Sequence, residues 1–102
     1  ISRVKFTGKS GLDHMFDFAI PKSEQYPERL VQTINHPTKE TMQIAVFKWI
    51  DTREDRPQDV KLLILLNDTK SINPAVVEAF HNYDLETVLW SEREKSRELF
   101  TA

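Results

Sequence analysis

The residue with the clearest chemical potential is Asp17, which stands between Phe16 and Phe18 in a segment whose side chains alternate between two faces. A carboxylate in the middle of a strand is costly to bury unless it is paired, hydrogen-bonded or bound to a metal ion. Asp17 is therefore a candidate metal-binding or catalytic acid. The structural alternatives are a carboxylate that faces solvent, or one that pairs with an arginine such as Arg29 or Arg53.

Further candidate binding residues lie at the ends of predicted helices and strands. Asp68 follows a long apolar run, at the kind of strand end where α/β folds commonly place ligands. The alternative for Asp68 is a turn that it makes with Asn67 and Thr69. Asp51 and Arg53 close a predicted helix, where we expect a structural ion pair rather than a contact with a partner.

The segment Gly8-Lys9-Ser10 is similar to the end of a phosphate-binding loop and adds Lys9 to the candidate binding residues. The full motif needs a glycine five residues before Gly8, where Arg3 stands, and a helix after it, which the sequence does not predict. We therefore predict a turn, with both glycines of the chain at positive φ or at a close approach. The histidines lie on different elements without metal-ligand spacing and are expected to pack or face solvent: His14, His36 and His81.

The elements that would position these residues are organised around Val60–Asn67, which contains five consecutive apolar side chains, Leu62 to Leu66. Such a run predicts a central strand that is buried on both faces. Its neighbours give the order β-β-β-α-β-α-β-α, an α/β (α+β) fold with a mixed sheet of about five strands. The predicted strands and helices around it are Ile1–Phe6, His14–Ile20, Arg29–Ile34, a helix Thr38–Asp51, a helix Pro74–Tyr83, Thr87–Trp90 and a short helix from a capping box at Ser91.

Composition limits the class of protein more than it identifies a function. The chain has 102 residues, enough for a single domain, and its net charge of −2 creates no general attraction to nucleic acid or to an anionic membrane. It lacks cysteine, which excludes disulfides and thiol catalysis and is compatible with a cytoplasmic location. Because the chain begins with Ile1 rather than methionine, we expect it to be the C-terminal part of a longer protein.

Four runs carry a resemblance to known families: Gly8–Phe18, Phe47–Arg53, Leu65–Asp68 and Val88–Ser91. Over nearly its whole length the chain resembles an uncharacterised domain that forms the C-terminal half of two-domain proteins of bacteria and phages. The order of its elements, together with Asp17 on a strand, also resembles the core of the PD-(D/E)XK, restriction-endonuclease-like superfamily.

The superfamily resemblance implies that Asp17 takes the place of the metal-binding aspartate and Gln32 that of the second ligand, as a remnant catalytic site. These nucleases carry a lysine two residues after the second ligand, and here that residue is Ile34. Lys48 on the following helix could replace it only if the helix points it inward, and we expect a solvated lysine; Lys9 is another lysine that could reach the site. No cofactor is expected unless the nuclease is active, in which case the cofactor would be Mg²⁺.

Three functional hypotheses follow. The favoured one is a non-catalytic, nuclease-like module that binds a protein or nucleic-acid partner within a bacterial or phage protein. The alternatives are an active Mg²⁺-dependent nuclease with a rearranged active site, and a structural domain that forms a homodimer. The missing lysine, the single carboxylate and the net charge of −2 all argue against cleavage. The expected partners are the rest of the parent chain and a protein or nucleic acid, with no membrane.

Overall fold

The computed structural model describes residues 3–100, so the predicted start of the first strand at Ile1 lies outside the described residues. Six strands, two α-helices and one 3₁₀ helix follow one another in this part of the chain. In chain order they are β1 (Val4–Thr7), β2 (Asp13–Phe16), β3 (Phe18–Ile20), β4 (Arg29–Ile34), α1 (Lys39–Arg53), β5 (Lys61–Leu66), α2 (Pro74–Asn82), β6 (Glu86–Leu89) and the 3₁₀ helix Trp90–Phe100.

The main sheet has four strands in the order β3-β4-β5-β6, and β1 and β2 form a separate two-stranded sheet. Strand β3 pairs with β4 in the antiparallel sense, whereas β4, β5 and β6 are parallel to one another. The predicted mixed α+β architecture is thus confirmed, but the strand count differs from the predicted single sheet of about five strands. The parallel pairs need long connections, and α1 and α2 supply them.

The predicted strand His14–Ile20 is wrong as one strand, because it is interrupted at Asp17 and its two halves join different sheets. The backbone N–H of Asp17 donates to the carbonyl of Val31, the residue opposite Phe18 in the ladder. This bond lies one residue out of register with the ladder, so regular pairing with β4 begins only at Phe18.

Strand β5 lies in the middle of the main sheet and is buried on both faces, as its sequence predicts. Its residues Leu62, Ile64 and Leu66 belong to a cluster with Trp49 of α1 and Phe80 of α2. On the opposite face, one side chain of β5 packs with two from the neighbouring strands and with the end of the 3₁₀ helix: Leu63, Ile20, Val31, Leu99 and Phe100. The alternation of the strand therefore distributes the apolar run between two helical layers.

Local sequence signals set the ends of both α-helices. Thr38 caps α1, because its hydroxyl accepts from the N–H of Thr41 while the Thr41 hydroxyl accepts from the N–H of Thr38. Asn73 caps α2, and Pro74 occupies the first helical position. No helix in residues 3–100 is long and apolar enough to cross a membrane.

The predicted C-terminal capping box is wrong. The last element is a 3₁₀ helix that begins one residue before Ser91 and has non-helical backbone angles at Glu92 and Ser96. Ser91 does not cap it, since its N–H and hydroxyl both donate to the Asp68 carboxylate. A long-range contact thus replaces the local one that the sequence pattern indicates.

Candidate functional site

Lys48 is the residue that assembles the candidate site. Its Nζ donates to Gln32 Oε1 at 2.8 Å and to the carbonyl oxygen of Met15, and it lies 4.8 Å from the centroid of the Phe16 ring. The expected solvated lysine is therefore wrong, because α1 directs this side chain inward over the sheet. Lys48 follows buried Ala45 by three residues, and positions three apart share a face of a helix.

The environment of Lys48 acts on its charge in two ways. Burial lowers the pKa of its ammonium, since a charged group loses hydration there. The negative charge of Asp17 raises the same pKa and partly opposes the effect of burial. Lys48 therefore releases its proton more readily than an exposed lysine does, while it still interacts electrostatically with the acid of the site.

Asp17 is held against β4 by Thr33. One carboxylate oxygen, Oδ2, accepts from the Thr33 N–H at 2.6 Å and from the Thr33 hydroxyl. The predicted alternative of an arginine partner is wrong for Arg29, which donates to the carbonyls of Pro27 and Leu99. The structure thus brings Asp17 and Gln32, both predicted as site residues, to one end of β4 and adds Lys48 from α1.

Gln32 and Lys48 face a cleft of about 300 Å³, to which Asp17 is linked through its bond to the lining residue Thr33. Gln32 and Lys48 contribute to its walls, and the rest of the lining comes from the end of β4 and the first turns of α1: Thr33, Ile34, Asn35, His36, Thr41, Ile44 and Ala45. A ligand that reached Lys48 would therefore enter between the sheet and α1.

A hard divalent cation such as Mg²⁺ would find few free protein ligands here. Asp17 offers a carboxylate, whereas the Gln32 amide oxygen and the Met15 carbonyl accept from Lys48 and the Thr33 carbonyl accepts from Gln32. Mg²⁺ is commonly held by one or two carboxylates and keeps several waters. Among residues 3–100 there is no group of three or more histidine, aspartate or glutamate side chains arranged to hold a metal ion.

Asp51 forms a second polar group, which lies behind the hairpin β1–β2. Its carboxylate accepts from the Ser10 N–H at 2.8 Å and the Ser10 hydroxyl at 2.6 Å, and it contacts His14 Nε2 at 2.7 Å. Hydrogen bonds from Ser10, then that from His14, hold the pKa of the Asp51 carboxyl below its ordinary value, although burial acts in the opposite direction. Serine and histidine both bind the acid, which differs from a nucleophilic triad, where histidine contacts the serine.

The turn before β2 is built around Asp51. A Cβ at Gly8 would stand 2.1 Å from Asp51 Oδ2, and Gly11 has a φ of +91°, so the predicted close approach and positive φ are both found. The N–H of Lys9 donates to the Asp51 carbonyl, which places Lys9 in this turn. Arg53 does not pair with Asp51 as expected but lies over the Trp49 ring.

Asp68 also binds protein groups. The N–H and hydroxyl of Ser91 donate to it, and both bonds hold the pKa of the Asp68 carboxyl below its ordinary value. This contact joins the end of β5 to the start of the 3₁₀ helix. Of the predicted site residues, Asp17 bonds Thr33, the neighbour of Gln32 on β4. Lys9 lies in the hairpin turn, Asp51 binds that turn from the last turn of α1, and Asp68 joins two distant segments.

Two features of the structure are not predicted by the sequence analysis. The inward position of Lys48 could have been found from the helical spacing, since Ala45 lies three residues before it and buried Thr52 lies four residues after it. The contact of Ser91 with Asp68 has no local signal, since 23 residues separate the two.

Comparison with known proteins identifies a family but adds no activity. The family model described as "Domain of unknown function DUF1829" matches residues 8–93. The match covers most of the chain, and the chain belongs to this family. No curated protein and no solved structure matches it at a significant level.

Proposed function

We propose that this member of the DUF1829 family is a metal-dependent nuclease whose essential lysine is supplied by helix α1. The observation that carries the proposal is the 2.8 Å hydrogen bond from Lys48 Nζ to Gln32 Oε1, in a position where the charge of Asp17 acts on the ammonium. The sequence favoured a non-catalytic domain largely because Ile34 stands where a nuclease of this kind has its lysine. An ammonium delivered from the next helix fills the same chemical role.

Each side chain has a role that follows from its contacts. Asp17 would be the charged ligand of Mg²⁺, joined by Gln32 once Lys48 turns from the Gln32 amide oxygen to the substrate. When bound, Mg²⁺ would supply Lewis acidity toward a phosphate oxygen and lower the pKa of a bound water. Thr33 fixes the orientation of Asp17 through two hydrogen bonds, so the carboxylate is preorganised. Lys48 donates to the attacking water or to a phosphate oxygen, where negative charge grows in the transition state.

Partial burial favours the role of Lys48 as a donor to the negative charge that grows in the transition state. Removal of part of its hydration strengthens its interaction with charge in the cleft. The same burial lowers the pKa of the ammonium, which brings proton exchange with a bound water closer to neutral pH. An exposed lysine on the outer face of α1 would have neither property.

A second candidate function is that of a non-catalytic module that binds a protein partner. Apolar side chains on β2 and α1 stand out into solvent next to the cleft, with Met15 46%, Ile44 62% and Phe47 48% exposed. Exposed apolar groups that lie together commonly mark a protein interface. This function needs neither Lys48 nor Asp17.

The two candidates are separated by cleavage assays on plasmid, single-stranded DNA and RNA in Mg²⁺ or Mn²⁺. We expect cleavage that a chelator stops and that falls about 10²–10³-fold in Lys48→Met, because a preorganised donor to developing charge is lost. Methionine keeps the length and the apolar contacts of the lysine stem. Lys39→Met, an exposed lysine in the first turn of the same helix, is the matched control and should cleave normally.

The same assays with Asp17→Asn test the metal-holding acid, with exposed Asp59→Asn as its control. Full activity in Lys48→Met or Asp17→Asn, with the variant folded as judged by circular dichroism, would contradict the proposal. Absence of cleavage by the unmodified chain on all three substrates would also contradict it and would favour the binding module.

A further inference from the structure

Trp90 forms one wall of a second cleft, of about 390 Å³, at the carboxyl edge of β4 and β5. The indole is 45% exposed, in contrast to the other tryptophan of the chain, Trp49, which is 5% exposed in the core. The Arg93 guanidinium lies over the Trp90 ring, 4.1 Å from its centroid, and Arg93 Nη1 donates to the Trp90 carbonyl. Arg93 thus covers one face of the indole and fixes the backbone below it.

The remaining walls combine a narrow apolar surface with amide and hydroxyl groups. Ile34 and Leu65 are the apolar part, and Asn35, Asn67 and Thr69 surround them with hydrogen-bonding groups. Asparagine side chains offer a donor and an acceptor side by side, which matches the edge of a nucleobase. An aromatic ring beside such amides suits a flat heterocycle that needs both stacking and edge contacts.

This cleft and the cleft beside Lys48 share a wall. Thr33, Ile34 and Asn35 at the end of β4 line both of them. Thr33 also holds Asp17, so the same short segment joins the candidate metal-holding acid to the tryptophan cleft. A nucleic-acid strand with a phosphate at Lys48 could therefore place a neighbouring base beside Trp90.

We infer that the Trp90 cleft is a nucleobase subsite, which takes one unpaired base of a nucleic-acid strand and stacks it on the indole face opposite Arg93. The inference rests on the proposed nuclease function, because it assigns the substrate of that site as a strand with at least one unstacked base. A base inside a duplex has both faces covered by its neighbours, so the subsite selects single strands, loops or ends. Stacking accepts any base, and the asparagine amides supply whatever preference exists among bases.

The test measures binding without cleavage, in a chelator, with a labelled oligothymidylate and an abasic sugar–phosphate strand of the same length. We expect Trp90→Ala to weaken binding of the thymidylate about 5- to 150-fold and to change binding of the abasic strand little, since stacking of one base on an aromatic side chain is lost. Trp90→Phe should keep most of the affinity. Tyr83→Ala, which removes an aromatic side chain that is 51% exposed elsewhere, should bind normally.

Intrinsic fluorescence gives an independent readout. Thymidylate should quench the emission of Trp90, and in Trp90→Phe the remaining emission of buried Trp49 should be insensitive to it. Equal effects of Trp90→Ala on the thymidylate and the abasic strand, or no binding of thymidylate by the unmodified chain, would overturn the inference. Melting curves confirm that the variants are folded.

Failure of the inference can be distinguished from failure of the proposed function. Lys48→Met should lose cleavage and keep the base-dependent part of binding, while Trp90→Ala should raise KM more than it lowers kcat. Cleavage that depends on Lys48, with binding that is indifferent to Trp90, would leave the nuclease and remove the subsite. Base-dependent binding through Trp90 in a chain that does not cleave would leave the subsite and remove the nuclease.

Discussion

Two acids of the molecule, Asp17 and Asp51, are held in opposite ways. Asp51 is 7% exposed, and donors from Ser10 and His14 satisfy both of its oxygens. Asp17 is partly exposed and is bonded through Oδ2 to Thr33, which lines the cleft, and its charge acts on the Lys48 ammonium. A fully satisfied buried carboxylate fixes structure, whereas a carboxylate with remaining acceptor capacity beside a cleft can also bind a ligand.

Lys48 and His14 show the same contrast on the donor side. His14 is buried, packs edge-on against the Phe47 ring and donates a hydrogen bond to Asp51. These contacts hold the hairpin β1–β2 against α1. Lys48 donates to Gln32 and to a backbone carbonyl, and its stem lines the cleft. We therefore expect the hairpin group, which consists of Asp51, Ser10 and His14, to control stability. The cleft group, which consists of Lys48, Gln32 and Asp17, should control activity.

After Lys48→Met, the largest expected effect is on activity, from Gln32→Leu. The substitution removes the amide oxygen that holds Lys48 and that would contact Mg²⁺, so cleavage should fall about 10²-fold while the free energy of unfolding changes by less than about 1 kcal/mol. Initial cleavage rates and urea melts measure the two quantities. Gln25→Leu, an exposed glutamine in the loop before β4, is the control. If the Gln32→Leu variant were unfolded, Gln32 would be a residue that maintains the fold rather than one that serves cleavage.

The next effect is on stability, from Gly8→Ala. The added Cβ would meet the Asp51 carboxylate at 2.1 Å and force it away from its donors, so the free energy of unfolding should fall by about 1–3 kcal/mol. Urea melts measure it, and exposed Ser71→Ala should change stability by less than about 0.5 kcal/mol. At temperatures where the variant is folded, cleavage should persist. Loss of cleavage in the folded variant would mean that the two groups are coupled.

The smallest effect is a change in pH dependence from Asp51→Asn. Because hydrogen bonds lower the folded-state pKa of Asp51 below its ordinary value of 3.8, its contribution to stability is present above that value and is lost as the pH falls through the folded-state pKa. Thermal melts between neutral and strongly acid pH should thus show a shallower acid loss in Asp51→Asn. Asp59→Asn should keep the slope of the unmodified chain. Parallel curves for Asp51→Asn would show that Ser10 and His14 do not depend on its charge.

Much of the fold could be predicted from local patterns. The run Leu62–Leu66 specifies a strand buried on both faces, and the cap at Asn73 specifies where α2 begins. For α1 the sequence allows either Thr38 or His36 as the cap, and the structure selects Thr38. The interruption at Asp17 could not be predicted, because it depends on the pairing of Phe18 with Val31 on another strand. The same holds for the last helix, where a contact between Ser91 and Asp68 replaces the local cap.

The candidate site divides in the same way. Asp17 stands out in sequence because a carboxylate between two phenylalanines is unusual, and Gln32 follows from its position on the next strand of the resemblance. Lys48 lies 16 residues beyond Gln32, and its direction depends on how α1 is rotated on the sheet. Burial of Ala45, Val46 and Trp49 sets that rotation, and Lys48 is carried inward with them.

The sequence by itself determined the secondary structure of the core, the place of β5 at its centre and the need for glycine in the hairpin turn. Periodicity, capping and backbone sterics act over a few residues, so they can be identified from the order of residues alone. Tertiary structure decided which polar groups meet: Lys48 with Gln32, Asp51 with Ser10 and His14, and Trp90 with the end of β4. These polar contacts depend on the packing of α1 and of the 3₁₀ helix against the sheet. There, many weak apolar contacts fix the orientation of a few polar side chains.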